Sequence, residues 1–216
     1  MNQIASLLDG YRAFRSQTYP ANRALFRELV ERGQSPRVML VACCDSRVAP
    51  TTVFNARPGE LFVVRNVANL VPPHDPDGDN QSVSAALEFA VLGLNVEHIV
   101  VLGHAGCGGV KAFLAGLQDS DPDPTFVAKW VSLLAPAHAR IARDLEGQDP
   151  ADRQRTMEQA AIITSLDNLR TFPFVEERVA QGTIAVQGAY FDVATGRLSV
   201  YDAGRGEFLQ VDDEPG

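Results

Sequence analysis

The sequence predicts an α/β fold: a mainly parallel β-sheet, four parallel strands plus an antiparallel edge strand, flanked by helices and preceded by an N-terminal helical arm. Three observations predict it. Short, wholly apolar runs at residues 38–43, 61–64 and 99–102 suit strands buried on both faces. Helical periodicity fills the stretches between and after them, as right-handed crossovers require. Near the C-terminus, residues 184–193 and 198–201 read as strands paired around Thr195-Gly196.

Taken in order, residues 3–15 carry Ile4, Leu7, Leu8, Tyr11 and Phe14 at helical spacing. A second helix opens near Pro20, carries Leu25, Phe26, Leu29 and Val30, and stops at Gly33. The apolar stripe of the first has no nearby partner in sequence, so residues 1–35 are expected to form an arm that packs on another subunit. Residues 36–216 are expected to form a single α/β domain. Within it, residues 82–94 and a segment from Gly108 are helical, and residues 126–145 form a helix that Pro136 bends or interrupts. Residues 151–169 form a long helix, with a short one near 174–180. Residues 119–124 read as a polar surface loop and 212–216 as a frayed end.

A chain of 216 residues with 45% hydrophobic and 21% charged residues is long enough for one well-cored domain. Net charge is −8 and no basic stripe is present, which argues against nucleic acid or an anionic membrane as partner. The N-terminus lacks the pattern of a signal peptide, and no apolar run approaches a membrane span. Three cysteines, two of them adjacent, make no disulfide framework and fit a reducing compartment, so a cytoplasmic location is expected.

Those cysteines carry the chemistry. Cys43 closes the first strand, and His104 and Cys107 follow the third. In an open α/β sheet, ligands bind beyond the carboxyl ends of strands where strand order reverses. If the second strand lies outside the first, strands one and three are neighbours and the three side chains meet. Two thiols and an imidazole suit zinc, and three protein ligands leave one position for solvent, as in catalytic zinc sites. Asp45 and Arg47 stand beside the first ligand as a carboxylate with its own cation. Of the other candidates, Arg65 and Asn66 suit backbone bracing and His74 a solvated loop. Asp75, Asp77 and Asp79 form a turn that lacks the terminal bidentate Glu of a calcium loop.

Cys43-Cys44-Asp45-Ser46-Arg47 resembles the Cys-x-Asp-x-Arg signature of the β-class carbonic anhydrases, and His104-Ala105-Gly106-Cys107 their His-x-x-Cys. The likeness runs from about Gln34 to Tyr201, through residues 59–69 and 97–104. It implies an enzyme that reversibly hydrates carbon dioxide to bicarbonate and a proton, by attack of zinc-bound hydroxide. One zinc per chain would be held by Cys43, His104 and Cys107, with Asp45 and Arg47 as catalytic dyad. Phe62, Val67, Phe89 and Gly108 match the substrate pocket, with Phe89 where the family often has Tyr. Gln34, in Gln34-Ser35-Pro36, matches a substrate-binding Gln that lines the neighbouring subunit's site in the open, plant-like members. Leu40 stands where other members carry the Trp of an inhibitory bicarbonate site. A homodimer or a higher homo-oligomer such as a tetramer is implied. Cys44 is expected to be a spare, buried thiol.

Two thiolates cancel the metal's formal charge, so bound water should be less acidic than at an all-histidine site and activity should rise above neutral pH. Two other functions stand as alternatives. One is a hydrolase of carbonyl sulfide or carbon disulfide on the same scaffold; the other is a non-catalytic zinc or thiol module using Cys43 and Cys44.

Overall fold

The structure, a computed structural model, describes residues 3–78, 81–117 and 125–211. The expected segments 119–124 and 212–216, together with Asp79, lie outside those residues.

The arm comprises α1 (Gln3–Ala13), a π-helical turn (Phe14–Thr18), α2 (Tyr19–Ala21) and α3 (Arg23–Arg32). Neither α1 nor α3 buries a residue. Phe14, Tyr19 and Phe26 pack on one another with ring centroids 5.4–6.1 Å apart, and Leu29 of α3 lies over Gly59.

Then follow β1 (Val38–Cys43), α4 (Pro50–Val53), β2 (Leu61–Asn66), a 3-10 turn (Val67–Asn69) and α5 (Gln81–Glu88), which continues as a π-helical turn (Phe89–Gly93). After β3 (His98–His104) come α6 (Gly108–Gly116), α7 (Phe126–Val131), α8 (Ala135–Ile141), α9 (Pro150–Leu169) and α10 (Pro173–Ala180). Strands β4 (Ala185–Phe191), β5 (Leu198–Asp202) and β6 (Glu207–Gln210) complete the sheet. Pro136 stands in the first turn of α8, after a 3-10 turn over Ser132–Leu134, so the expected long helix is interrupted where its ring forbids continuation.

The sheet order is β2-β1-β3-β4-β5-β6. The first four strands are parallel, β5 is antiparallel to β4, and β6 pairs with β5. Strand β6 is one more than the sequence suggested; its four residues, with Glu207 and Gln210 exposed, give too short an alternation to stand out. As anticipated, β2 lies outside β1, and strand order reverses between β1 and β3.

The two faces of the sheet differ in cover. On one, Met39, Val41, Ile99 and Val101 pack against Leu87 and Val91 near α5, Ile162 and Leu169 of α9, and Val175 of α10. Helix α9 sits low over β3 and β4: a Cβ at Gly103 would lie 2.6 Å from Ile162 Cδ1, and one at Gly188 2.8 Å from Ile162 Cγ2. On the other face, Leu40, Ala42, Leu102 and Ala189 meet Val48 and Val53. The rest of that face is an apolar groove of about 440 Å³, lined in part by Val38, Phe54, Val100 and Val200. No helix among the described residues is long and apolar enough to cross a membrane.

Candidate metal centre

Cys43 is the last residue of β1, paired in register with Asn66, and His104 is the last of β3, paired with Phe191. Cys107 follows a turn in which Gly106 takes φ +69°, and it stands as the N-cap of α6. All three are buried, and their donor atoms lie within 4.8 Å of one another. The two Sγ atoms are 3.9 Å apart. That is far beyond a disulfide. It is close to the ~3.8 Å that separates two thiolates each about 2.3 Å from a tetrahedral zinc.

The histidine tautomer is set locally. Nδ1 lies 3.0 Å from the carbonyl oxygen of Ala105, which can only accept, so Nδ1 carries the proton. Nε2 is then a lone pair facing inward, buried and without a hydrogen-bond partner. A buried polar atom left this way costs about 1–3 kcal/mol, so it calls for a missing partner. Two thiols and an orphaned imidazole nitrogen at this spacing fit a divalent zinc.

The two sulfurs are pushed apart in acidity. Contact with the Cys107 sulfur holds the Cys43 pKa well below the ordinary thiol range against the cost of burial, aided by the backbone N–H groups of Asp45 and Ala68. The same contact, with burial, pushes Cys107 up, while the amides of Val110 and Gly109 in the first turn of α6 oppose the rise. Burial disfavours a charged His104, but the neighbouring Cys43 sulfur and Asp45 outweigh it and raise its pKa. Ala68, at φ 65°, and Asn69, at φ 49°, are left-handed without being glycine, a strained turn that brings the Ala68 amide to the site.

Asp45 is held in a fork. Arg47 Nε donates to Oδ1 at 2.9 Å and Nη2 to Oδ2 at 2.7 Å, while the Arg47 backbone N–H also donates to Oδ1 at 2.9 Å. Arg47 Nη2 further donates to the Gly106 carbonyl at 3.1 Å, tying the dyad to the loop that carries Cys107. This pairing holds the Asp45 carboxyl well below the usual carboxylate range. Asp45 Oδ2 is 3.9 Å from His104 Nε2, at the edge of the donor cluster. Arg65 braces the first loop by donating to the carbonyls of Cys43, Asp45 and Val48, and Asn66 clasps Leu70 through both ends of its amide.

The remaining expected residues divide. Val67 is half-buried against the cluster that contains Cys43 and Cys107, and its carbonyl accepts from Trp130 Nε1 at 2.7 Å. Gly108 is exposed, with open space where a Cβ would be. Phe62 and Phe89 pack on each other with centroids 5.9 Å apart, Phe89 half exposed, some four residues or about 13 Å back along β2 from the strand end. Gln34 is exposed four residues before β1 begins, and Cys43 lies at the far end of that strand, about 17 Å from its first residue. Cys44 corrects the sequence expectation: it is exposed, because the chain leaves the sheet after Cys43 and turns the next side chain outward.

Sequence reasoning missed Glu158. It is 3% exposed on α9 and accepts hydrogen bonds from the Cys107 amide, Gln154 and Tyr190. Burial and Glu158 raise the pKa of the Tyr190 hydroxyl, which stays protonated as a donor. A carboxylate among Met157, Ala161 and Ile162 on the inward stripe of α9 was the available signal.

Comparison with known proteins settles the lineage. A family model described as carbonic anhydrase matches residues 38–198. Beta carbonic anhydrase 3 of Arabidopsis thaliana is 36% identical over 203 residues, covering 94% of this chain and 78% of the plant protein. The chain belongs to the β-class carbonic anhydrases. Among solved members of this class, the β-carbonic anhydrase CcaA superposes with a TM-score of 0.89 at 28% identity, over 99% of this chain and 94% of the other. A tetrameric β-carbonic anhydrase from Sordaria macrospora gives a TM-score of 0.81 at 29% identity, over 93% and 97%.

Proposed function

We propose that the protein is a zinc-dependent carbonate dehydratase, interconverting carbon dioxide and bicarbonate. One observation carries this: the two buried thiols converge on an unpartnered imidazole nitrogen, with an Arg-held carboxylate 3.9 Å from that nitrogen. Zinc held by Cys43 Sγ, His104 Nε2 and Cys107 Sγ would acidify water to provide a nucleophile and offset negative charge on the substrate oxygen.

The chain's own residues do the rest. Asp45, ionised and accepting only, takes a hydrogen bond from the attacking hydroxyl group and so aims a lone pair at carbon. Arg47 occupies both carboxylate oxygens from one side, which fixes that aim and keeps Asp45 from drifting inward. Val67 gives the uncharged substrate an apolar wall, and the missing side chain at Gly108 leaves it room. Gln34, too far from its own centre, serves the site of a neighbouring subunit, and the Phe62–Phe89 pair lines that shared pocket.

A homodimer as the basic unit follows from the same features. The sheet face around Leu40 and Ala189 retains an apolar groove, and Leu7, Leu8 and Tyr11 of α1 are exposed. The arm of one chain is the natural cover for another, and dimers can pair further into tetramers.

Stopped-flow measurement of carbon dioxide hydration, with metal content determined on the same sample, tests the function. Activity proportional to zinc, approaching one ion per chain, is expected. Zinc-loaded protein with no hydration above the buffer rate would overturn it.

A further inference from the structure

Two of the three donors are fixed by the sheet, since Cys43 and His104 each close a strand in a parallel ladder. Cys107 is not. It follows the Gly106 turn and begins α6, so no strand pairing holds it.

Helix α9 supplies what the ladder does not. Glu158 Oε1 accepts the Cys107 N–H at 2.7 Å, while Gln154, one helical turn earlier, donates to the Cys107 carbonyl at 3.3 Å. Both polar groups of one peptide residue are thus held from the same helix. The clamp is itself braced: Gln154 donates to Glu158 Oε1 at 2.9 Å, and Tyr190 of β4 donates to Oε2 at 2.8 Å. No cation lies within ion-pair distance of Glu158 among the described residues, so the carboxylate is buried on hydrogen bonds alone. Burying an ionisable group without a counter-charge is costly, and the three donors here converge on it from α9, β4 and the Cys107 loop. The Asp45–Arg47 chemistry makes no use of it.

We propose that Glu158 is a positioning residue for the metal: by gripping the Cys107 amide it keeps the third donor in reach of the other two, and so sets how tightly the ion is held. The inference rests on the metal reading of the Cys43–His104–Cys107 trio. It is a matter of grip rather than charge, since any acceptor oxygen at that point can hold the amide.

The test uses the full chain, as wild type and as Glu158→Ala, Glu158→Gln and Gln154→Ala. Zinc affinity is measured by competition with a chelator. The cobalt-substituted proteins are compared by thiolate-to-cobalt absorption, and thermal melting of the metal-free proteins reports on the fold. Glu158→Ala is expected to bind zinc about 10- to 100-fold more weakly and to lose part of the thiolate-to-cobalt band. Glu158→Gln keeps an oxygen for the amide and should restore both. Gln154→Ala, which removes only the carbonyl arm, should show a smaller loss in the same direction, and it stands as the test if Glu158→Ala does not fold. Unchanged affinity and spectrum in a folded Glu158→Ala, or in Gln154→Ala, would overturn the proposal, as would a Gln variant no better than Ala. Metal uptake by the wild type separates the two levels: if it binds none, the trio itself is misread, whereas uptake with indifferent variants defeats only the role of Glu158.

Discussion

The carboxyl edge of the sheet and the N-terminal arm are opposites. At the sheet edge, Cys43, His104 and Cys107 are buried, and their backbones are fixed by pairing, by Arg65 or by α9. In the arm, two helices of 11 and 10 residues bury nothing, and Leu7 is 72% exposed. Short helices without a packed face are marginal in water. The candidate metal centre is therefore assembled from strands and a helix of one chain, whereas the arm buries no residue of either helix against its own chain.

Substitutions at the two ends should have separable consequences. The largest effect is expected for His104→Ala, which removes the only nitrogen donor: zinc content should fall towards zero and hydration to the uncatalysed rate, with the sedimentation profile unchanged. A change of assembly in this variant would break the contrast. Arg47→Ala should retain zinc but lose about 100-fold in kcat/KM, the order expected when a reacting geometry slips by an ångström. It should also alter the response to acid. Because Arg47 lowers the Asp45 pKa in the folded protein, the Asp45 contribution to stability is complete above the ordinary carboxylate value and is lost only as pH falls through the depressed one. Without Arg47 that loss moves to higher pH, which NMR titration of the Asp45 carboxyl group would show.

At the other end, Leu7→Asp combined with Leu8→Asp should shift the protein to smaller species in sedimentation while zinc per chain stays constant. A parallel loss of metal would mean that the arm helps build the centre. The smallest effect is expected for Cys44→Ser. Metal content and activity should match the wild type, and the one thiol that reacts quickly with a thiol reagent should disappear, since Cys44 alone of the three is exposed.

What could be read in the sequence was what is local. Asp45 and Arg47 are two residues apart, His104 and Cys107 three, and strand ends announce themselves where apolar runs stop. Even the meeting of Cys43 with His104, across 61 positions of sequence, followed from the reversal of strand order between β1 and β3. Glu158 escaped because it lies 51 residues from the amide it holds, and only α9 packed on β3 and β4 brings them together. Cys44 misled because adjacency to a buried ligand says nothing of the direction of the next side chain once the strand has ended. Strand β6 is held by its pairing with β5 more than by any pattern of its own.

The bare hydrogens of Gly103 and Gly188 act at a distance. They let Ile162 settle almost onto the strands, and Ile162 is one turn along the same helix from Glu158. A single methyl group on either strand would press on the Ile162 side chain, and any shift of the helix in response would be passed to the glutamate. The seat of the third sulfur is levelled, in effect, by two shims one atom thick on the floor of the sheet.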